Sequence, residues 1–237
     1  MSSGFQDSCA SMSVFSTDLP DVAGGWTEKT IAVGNQTVRL AVPADPEAVL
    51  DDAVTLEQNQ IDDYMPYWCW LWPAAIQMAQ VVDRLPIAAG RRGLELGCGL
   101  GLVGTTALKA GLNIVMSDYR DEPVRTAKHN AALNGFPQAT TRKVNWREEP
   151  RQKYDYLIAC DVLYEANEHH PILDFTGAAI KAGGECWIGD PGRAHTEDFV
   201  RLSRKRFDVG LLTLELEVLE QVPLNQFFLI RLRPLGS

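Results

Sequence analysis

One stretch of the chain decides the fold, and it reads Leu94-Glu95-Leu96-Gly97-Cys98-Gly99-Leu100-Gly101-Leu102-Val103-Gly104. An apolar, strand-like start runs directly into closely spaced glycines, and helix-forming residues follow. Glycine permits the positive φ angles of a tight strand-to-helix turn and lets backbone N–H groups approach a ligand. Asp118 ends the next apolar run about 20 residues later, where a carboxylate of a nucleotide-binding βαβ unit bonds ribose hydroxyls. The stretch therefore predicts the first unit of a nucleotide-binding α/β fold.

Two cofactors are compatible with these glycines. Residues 99–104 spell G-x-G-x-x-G, the dinucleotide fingerprint, which is a weak signal by itself. The frame that starts at Glu95 instead resembles motif I of the seven-stranded S-adenosylmethionine-dependent methyltransferases. The resemblance implies that Glu95 faces the amino acid part of the cofactor, and that the ribose and methionine lie over a turn made by Gly97, Cys98, Gly99 and Gly101. A carboxylate repels a pyrophosphate but attracts an α-ammonium, so we favour S-adenosyl-L-methionine over a dinucleotide and over a turn that binds nothing.

The chain length suits one α/β domain with an N-terminal extension. The sequence has 237 residues, of which 46% are hydrophobic, enough for a substantial core,. Residues 1–63 are interpreted as a tail followed by a β-hairpin, in which residues 30–33 and 38–42 flank a Gly-Asn turn,. Residues 64–237 are interpreted as the methyltransferase domain.

Charge and hydropathy limit the partners of this chain. The net charge is −9, whereas nucleic-acid binders need clustered Lys and Arg, so we expect no nucleic-acid partner. An acidic surface suits a basic or lysine-bearing protein instead. No apolar run reaches the ~18 residues of a membrane span, and the N-terminus resembles neither a secretory signal nor an arginine-rich presequence. We therefore expect a cytoplasmic monomer without a membrane partner.

A dense aromatic cluster precedes the glycine turn. Residues 64–72 hold three tryptophans and two tyrosines, and Pro73 then opens a helix,. Most of these rings would serve as core mass against the sheet. A sulfonium or ammonium is well accommodated against an aromatic face, so we expect Trp72 to form a wall of the cofactor cleft.

Strand-like and helical patterns alternate after this cluster. After the strand of the glycine stretch, the predicted strands are Asn113–Ser117, Thr140–Val144, Tyr154–Cys160, Glu185–Ile188, Val209–Val218 and Phe227–Leu232. The third of these is apolar almost throughout, which is typical of a central parallel strand buried on both faces. Right-handed crossovers give a Rossmann-like, doubly wound α/β fold, with a seven-stranded sheet whose last strand is antiparallel.

Candidate cofactor residues follow the predicted strands at one edge of the sheet, where open α/β folds bind ligands. They are Asp118 and Tyr119 after one strand, Asn145 and Trp146 after the next, and Cys160 at the end of the central one. The methyltransferase resemblance implies that Asp118 bonds the ribose, that Asn145 meets the adenine amino group and that Trp146 packs on the adenine ring. We also expect Tyr119 and Cys160 to contact the cofactor.

The segment after the central strand, Asp161-Val162-Leu163-Tyr164, resembles the D-x-x-Y signature of protein lysine methyltransferases. Enzymes of this class that methylate nucleobases or glutamine usually carry N/D-P-P-Y/F there. Residues 66–74 and the segment Gly189-Asp190-Pro191-Gly192-Arg193 look like parts of the electron-transfer flavoprotein β-subunit lysine methyltransferase group and its bacterial relatives. This resemblance implies methyl transfer to lysine ε-amines of a protein, with S-adenosyl-L-homocysteine as the second product.

Asp161 and Tyr164 are the candidate catalytic residues. We expect Asp161 to contact the cofactor and to hold the acceptor amine by hydrogen bonding, while Tyr164 orients that amine. Arg193 is expected to fix its loop by pairing with Asp190, or else to pair with a carboxylate of the substrate.

The sequence is compatible with two alternative functions. The alternatives are a small-molecule N-methyltransferase acting on nicotinamide or an amine, and a non-catalytic cofactor-binding protein with a regulatory role.

The histidines show no H-x-x-x-H spacing, so we predict no metal site,. We expect His169 and His170 to lie on the surface and Thr196 to cap the helix that follows it.

Overall fold

A computed structural model of the chain describes residues 18–62 and 64–236, so most of the predicted tail lies outside the described residues. The strands are β1 (Trp26–Val33), β2 (Gln36–Pro43), β3 (Arg92–Leu96), β4 (Asn113–Asp118), β5 (Thr141–Lys143), β6 (Tyr154–Cys160), β7 (Ile180–Asp190), β8 (Phe207–Leu212) and β9 (Phe228–Pro234). The helices are α1 (Pro46–Leu50), α2 (Ala53–Asp62), α3 (Pro73–Val82), α4 (Leu102–Lys109), α5 (Asp121–Leu133), α6 (His169–Ala179) and α7 (Thr196–Ser203). Short 3-10 turns lie at Tyr67–Cys69 and Ala166–Glu168.

Strands β3 to β9 form one seven-stranded sheet in the order β5-β4-β3-β6-β7-β9-β8. Strands β3 to β7 run parallel, whereas β9 runs antiparallel to both β7 and β8. This confirms the predicted doubly wound α/β fold with an antiparallel last strand. The chain continues from β3 to β4 on one side and later returns to β6 on the other, so the carboxyl ends of β3 and β6 flank the switch point at which such sheets bind ligands.

Apolar side chains cover both faces of the sheet, which explains the nearly unbroken apolar sequence of β6. On one face Leu157 belongs to a buried cluster with Phe199 of α7. On the other face Ile158 belongs to a cluster with Met78 of α3 and Leu40 of β2. A strand covered on both sides keeps no polar alternation, and its rigid end fixes the start of the loop that carries Asp161.

The predicted N-terminal hairpin is present and shares the core of the main sheet. β1 and β2 pair antiparallel around a two-residue turn, with Val33 opposite Gln36. The buried Asn130 of α5 ties the hairpin down, because its side chain accepts from the Ala41 N–H (2.7 Å) and donates to the carbonyls of Ala41 (3.0 Å) and Leu100 (2.9 Å). The hairpin is thus linked through one amide to the glycine turn. The domain boundary after residue 63 stays a prediction.

The predicted long strand Val209–Val218 is wrong in its second half. β8 ends at Leu212, and the Thr213 hydroxyl then accepts from the backbone N–H groups of Glu215 (3.1 Å) and Glu217 (3.3 Å). A threonine side chain that bonds the backbone two residues ahead stabilises a turn in place of a strand. The alternating sequence pattern could not show this competition.

Within residues 18–62 and 64–236, no helix is both long and apolar enough to cross a bilayer. The same residues hold no group of three His, Cys, Asp or Glu side chains that could bind a metal ion. The four cysteines among them, Cys69, Cys98, Cys160 and Cys186, are free thiols.

Candidate active site at the carboxyl edge of the sheet

The turn between β3 and α4 forms the floor of a cleft at the carboxyl edge of the sheet. Gly97, Cys98 and Gly99 line this cleft, and Gly97 and Gly99 have positive φ angles of 69° and 49°. The Cys98 N–H donates to the Ser117 carbonyl (2.8 Å), and the Gly99 N–H donates to Asp118 (3.1 Å). Because the two glycines carry no side chain, backbone atoms form this part of the surface, as the sequence predicted.

Gly101 has a role in packing, whereas its contact with the cofactor stays a prediction. It precedes α4 with a φ of 78°, and a Cβ atom there would lie 2.8 Å from the Cα of Ala127 in α5. It is not among the described residues that line the cleft. Glycine is therefore required at this position so that the start of α4 can pack closely against α5.

Glu95, at the end of β3, is a buried carboxylate that lines the cleft. It is 3% exposed, and its Oε2 atom has no hydrogen-bond partner among the described residues. Burial, together with the negative charge of Asp118, raises the Glu95 pKa to about 8, although the Gly104 N–H partly offsets the rise. A Cβ atom at Gly104 would lie 2.3 Å from Oε2, so that glycine makes room for the carboxylate.

Asp118, at the end of β4, holds the opposite side of the same turn. Its carboxylate accepts from the backbone N–H groups of Gly99 (3.1 Å) and Tyr119 (2.8 Å). Burial raises the pKa of this carboxyl to about 6, and these hydrogen bonds limit the rise. Tyr119 also lines the cleft, and its ring meets Tyr64 edge to face at 6.3 Å.

Aromatic side chains form one wall of the cleft, as predicted for residues 64–72. Trp72 lines the cleft and remains 37% exposed, while its indole N–H donates to the Tyr67 carbonyl (2.9 Å). The Tyr67 ring contacts Trp72 (6.2 Å between centroids) and Tyr164 (5.9 Å), both edge to face. Tyr67 was outside the predicted site residues, although the density of aromatic residues around it was the signal that could have found it.

Trp146 and Asn145 line different cavities in the structure. Trp146 lines the cleft, and its indole N–H donates to Glu168 (2.7 Å), which also pairs with Arg147 (2.6 Å). Asn145 lines a separate small cavity, and its side-chain oxygen accepts from the Arg147 N–H (3.0 Å). Trp146 therefore lines the cleft and Asn145 does not, because the Asn145 side chain bonds the backbone of its own loop.

Asp161 and Tyr164 lie at the end of the cleft formed after β6. Both line it, together with Cys160. Asp161 has a positive φ of 57°, which is uncommon outside glycine and marks a constrained turn,. Its backbone N–H donates to the Gly189 carbonyl of β7 (2.8 Å), which fixes the turn. Burial raises the pKa values of Cys160 and Tyr164, so the thiol and the phenol both stay neutral near pH 7.

Arg193 forms an ion pair with Asp161, which the sequence did not predict. It also forms the predicted pair with Asp190, at a longer distance of 3.9 Å from Nη1 to Oδ2. Asp190 holds the backbone of its loop as well, accepting at Oδ1 from the N–H of Gly192 (2.8 Å) and the hydroxyl of Thr196 (2.8 Å). Thr196 therefore binds Asp190 and does not act as the predicted helix cap.

Two histidines lie beneath the loop that carries Asp161 and Tyr164, contrary to the surface position expected for His169. His169 is buried, and its Nε2 is 3.4 Å from the Leu163 carbonyl. His195 Nε2 is 2.6 Å from the same oxygen, and a carbonyl can only accept, so His195 donates. The two rings lie 5.6 Å apart. They support the loop from below, which the sequence did not indicate because they are 26 residues apart.

The cleft fits a cationic nucleoside better than a dinucleotide. Two buried carboxylates face it, one of them with an unpartnered oxygen. No lysine or arginine occurs among the described residues that line it, so nothing offsets the repulsion between these carboxylates and a pyrophosphate,. The α-ammonium and sulfonium of S-adenosyl-L-methionine suit the carboxylates and the aromatic wall. Glu95 and Asp118 would hold its amino acid part and ribose.

Comparisons with known proteins agree with this geometry. The lysine methyltransferase family model matches residues 51–198. The chain is 28% identical over 132 residues to the electron transfer flavoprotein beta subunit lysine methyltransferase of Xenopus laevis, covering 54% of this chain and 54% of that protein. It is 26% identical over 160 residues to the histone-arginine methyltransferase METTL23 of Mus musculus, covering 62% and 60%. The chain thus spans little more than half the length of the curated relatives it matches.

A solved structure supports the fold. The TehB-like SAM-dependent methyltransferase of Corynebacterium glutamicum superimposes with a TM-score of 0.56 at 17% identity, covering 79% of this chain and 99% of that one. The expected resemblance to a lysine methyltransferase family is confirmed, and the fold is that of a solved SAM-dependent methyltransferase. Because the family model matches more than half of its residues, this chain belongs to the lysine methyltransferase family.

Proposed function

We propose that this protein transfers the methyl group of S-adenosyl-L-methionine to the ε-amine of a lysine in a protein substrate. The observation that carries the proposal is that Asp161 and Tyr164 line the same cleft as Glu95 and Asp118. An amine held at Asp161 would therefore share one cavity with a cofactor held by the other two carboxylates.

The cofactor supplies a methyl group on a positively charged sulfur, and an amine takes that methyl in line while the C–S electron pair stays on sulfur. The protein must align the amine, exclude water and let the ammonium lose its proton. At pH 7 only about one free lysine in 2,500 is neutral. Asp161 would bind the ammonium first, and the cofactor's positive charge and the low polarity of the cleft would then favour the neutral amine.

Tyr164 would orient the amine, and its surroundings suit that task. Burial raises its pKa, so the hydroxyl keeps its proton and can accept from or donate to a nitrogen at neutral pH,. Its contact with Tyr67 links the D-x-x-Y loop to the aromatic wall. The two aromatic rings would shield the reacting atoms from water.

A protein is favoured over a small molecule as the acceptor. Tyr67, Trp72, Tyr119 and Tyr164 all line the cleft and are 37–40% exposed, so a side chain on a large molecule can reach between them. The net charge of −9 suits a basic, lysine-bearing surface,. The same charge disfavours a nucleic acid. We retain a cytoplasmic monomer as the expected state.

The β subunit of the electron-transfer flavoprotein is the first candidate substrate. It is the substrate printed in the name of a relative, and the segments at residues 66–74 and 189–193 led to the same group. Other relatives carry a different acceptor in their names, arginine in one case. The acceptor residue must therefore be identified directly.

The test is a labelling experiment with purified protein. The enzyme is incubated with radiolabelled S-adenosyl-L-methionine and either the purified flavoprotein β subunit or a cell extract of the same organism. The labelled band is then mapped by mass spectrometry, which distinguishes methyl-lysine from methyl-arginine. We expect label on lysine; label on arginine or on a metabolite, or cofactor binding without any transfer, would contradict the proposal.

A further inference from the structure

Three charged groups meet at the acceptor end of the cleft, and their charges do not balance. Arg193 lies between two carboxylates, paired with Asp161 and 3.9 Å from Asp190 Oδ2. Two negative charges and one positive charge leave one negative charge in excess. Asp161 and Asp190 are both largely shielded, with side chains 11% and 0% exposed. Shielded charges gain more from a counter-ion than solvated ones do.

The two oxygens of Asp190 are in different situations. Oδ1 accepts from the N–H groups of Gly192 (2.8 Å) and Arg193 (3.3 Å) and from the Thr196 hydroxyl (2.8 Å). Oδ2 is buried and accepts no hydrogen bond from the described residues. A buried carboxylate oxygen without a donor is costly. The nearest guanidinium is therefore held by one carboxylate while a vacant acceptor lies within its reach on the other.

We propose that Arg193 exchanges partners during acceptor binding: the substrate ammonium takes its place on Asp161, and the guanidinium moves to Asp190 Oδ2. This inference rests on the proposed function, because it requires a cationic acceptor at Asp161. It makes Arg193 and Asp190 positioning residues for the acceptor. After the exchange, two carboxylates face two cations, so the excess negative charge is neutralised.

The loop is built so that only a side chain needs to move. The Arg193 N–H is already bonded to Asp190, which anchors the backbone of the residue. Gly192 has a φ of 78° and is enclosed by the 223–226 segment, since the Asn225 N–H donates to its carbonyl (2.8 Å). The Arg193 side chain is 29% exposed, so it is not fully enclosed by its neighbours. The displacement from one carboxylate to the other is short.

The exchange also gives the site a means of selection. A neutral amide or hydroxyl that takes the place of the guanidinium leaves the Asp161 carboxylate without a counter-ion, which is unfavourable in a shielded site. An ammonium can replace it. Arg193 therefore discriminates against uncharged acceptors, and the ammonium loses its proton only after it has been admitted.

The test is a variant pair on the substrate that the wild-type enzyme labels in the experiment above. Asp190→Asn keeps an oxygen for the three Oδ1 contacts but replaces Oδ2 with a nitrogen that cannot accept. Arg193 then has no second partner, so we expect KM for the protein substrate to rise about tenfold or more. Adding Arg193→Met removes the competitor, so Asp161 is open to the substrate ammonium and pairs with it alone, and KM should return to within about threefold of wild type.

Each outcome decides between exchange and a merely structural role. A structural role predicts that the double variant is at least as impaired as Asp190→Asn, and that result, or an unchanged KM in Asp190→Asn, would overturn the proposal. If Asp190→Asn does not fold, the double variant, which has the same net charge in this cluster as the wild type, decides alone, because exchange requires its KM to be near the wild-type value. Asp198→Asn, in the first turn of α7, is the matched control and should leave KM unchanged.

Affinity for S-adenosyl-L-homocysteine, measured by calorimetry, should be the same in the wild type and in all of these variants.

Failure of the proposed function gives a different pattern from failure of the exchange. In the first case wild-type enzyme labels no lysine, and in the second the wild type is active while removal of Arg193 rescues nothing.

Discussion

The two ends of the cleft carry carboxylates in opposite electrostatic situations. At the cofactor end, Glu95 and Asp118 are buried, no basic side chain is among the described residues that line the cleft, and both pKa values are raised. At the acceptor end, Asp161 is already paired with Arg193. Burial without a counter-ion favours the protonated carboxyl at the cofactor end, whereas Asp161 has a counter-ion in Arg193.

This difference matches the ligands expected at each end. S-adenosyl-L-methionine brings fixed positive charge, so the cofactor end can leave its carboxylates uncompensated until the cofactor binds. The acceptor end must hold a negative charge ready for a cation that later becomes neutral. The guanidinium of Arg193 compensates one of the two carboxylates at that end between turnovers. The following predictions test whether the two ends are as distinct as the structure indicates.

The largest effect should follow from Asp161→Asn. The carboxamide cannot hold an ammonium by charge, so we expect kcat/KM for methyl transfer to fall about 100-fold or more. Calorimetry with S-adenosyl-L-homocysteine should show affinity within about twofold of wild type. An equal loss of turnover and cofactor affinity would show that the two ends are not separate.

The next effect should come from Glu95→Gln at the other end. Loss of the charge facing the α-ammonium should weaken S-adenosyl-L-homocysteine binding by about 10- to 100-fold at pH 8.5. The difference in affinity between wild type and Glu95→Gln should narrow toward pH 6.5, because the wild-type Glu95, with a pKa near 8, is largely protonated there. Glu185→Gln is the control, since that buried carboxylate pairs with Arg233 far from the turn. If the difference in affinity between the two proteins does not change with pH, the assignment of the α-ammonium to Glu95 is contradicted.

The same residue should make the ligand-free protein less stable as pH rises. A carboxyl whose pKa is raised on folding, here from 4.5 to about 8, stabilises the fold below pH 4.5 and loses that contribution as pH rises through 8. Between pH 6.5 and 8 the wild type should therefore lose about 2 kcal/mol relative to Glu95→Gln. This corresponds to a relative fall in Tm on the order of 5 °C. Thermal unfolding of both proteins across this range is the measurement, and parallel curves would count against the raised pKa.

The sequence could predict the cofactor end far better than the acceptor end, and the reason is physical. Asp118 and Asp161 follow apolar runs and Glu95 lies one residue before the end of β3, and the carboxyl ends of parallel strands share one edge whatever the loops do. The ion pair between Asp161 and Arg193 joins residues 32 apart on two loops, so it depends on how those loops fold. Local pattern carries no information on such a pairing.

Exceptions at the cofactor end have the same origin. Gly101 fits the motif but serves the packing of α4 on α5. Asn145 follows a strand as predicted, yet its side chain turns to the backbone of Arg147. In each case a tertiary or very local contact competes with the role suggested by position. The predicted surface position of His169 is wrong for a related reason: nothing near it in sequence shows that it lies under a neighbouring loop.

The smallest effect should come from His195, which supports the acceptor end without lining the cleft. Its Nε2–H donates to the Leu163 carbonyl at 2.6 Å, between the two predicted catalytic residues. One such hydrogen bond contributes about 0.5–1.5 kcal/mol, so His195→Leu should lower kcat by about 3- to 10-fold. His195→Gln keeps an N–H donor and should recover part of the loss. Cofactor affinity should not change, since the support reaches only the D-x-x-Y loop. A drop in cofactor affinity in His195→Leu would show that the loop communicates with the glycine turn, and the two ends of the cleft would then have to be treated as one unit.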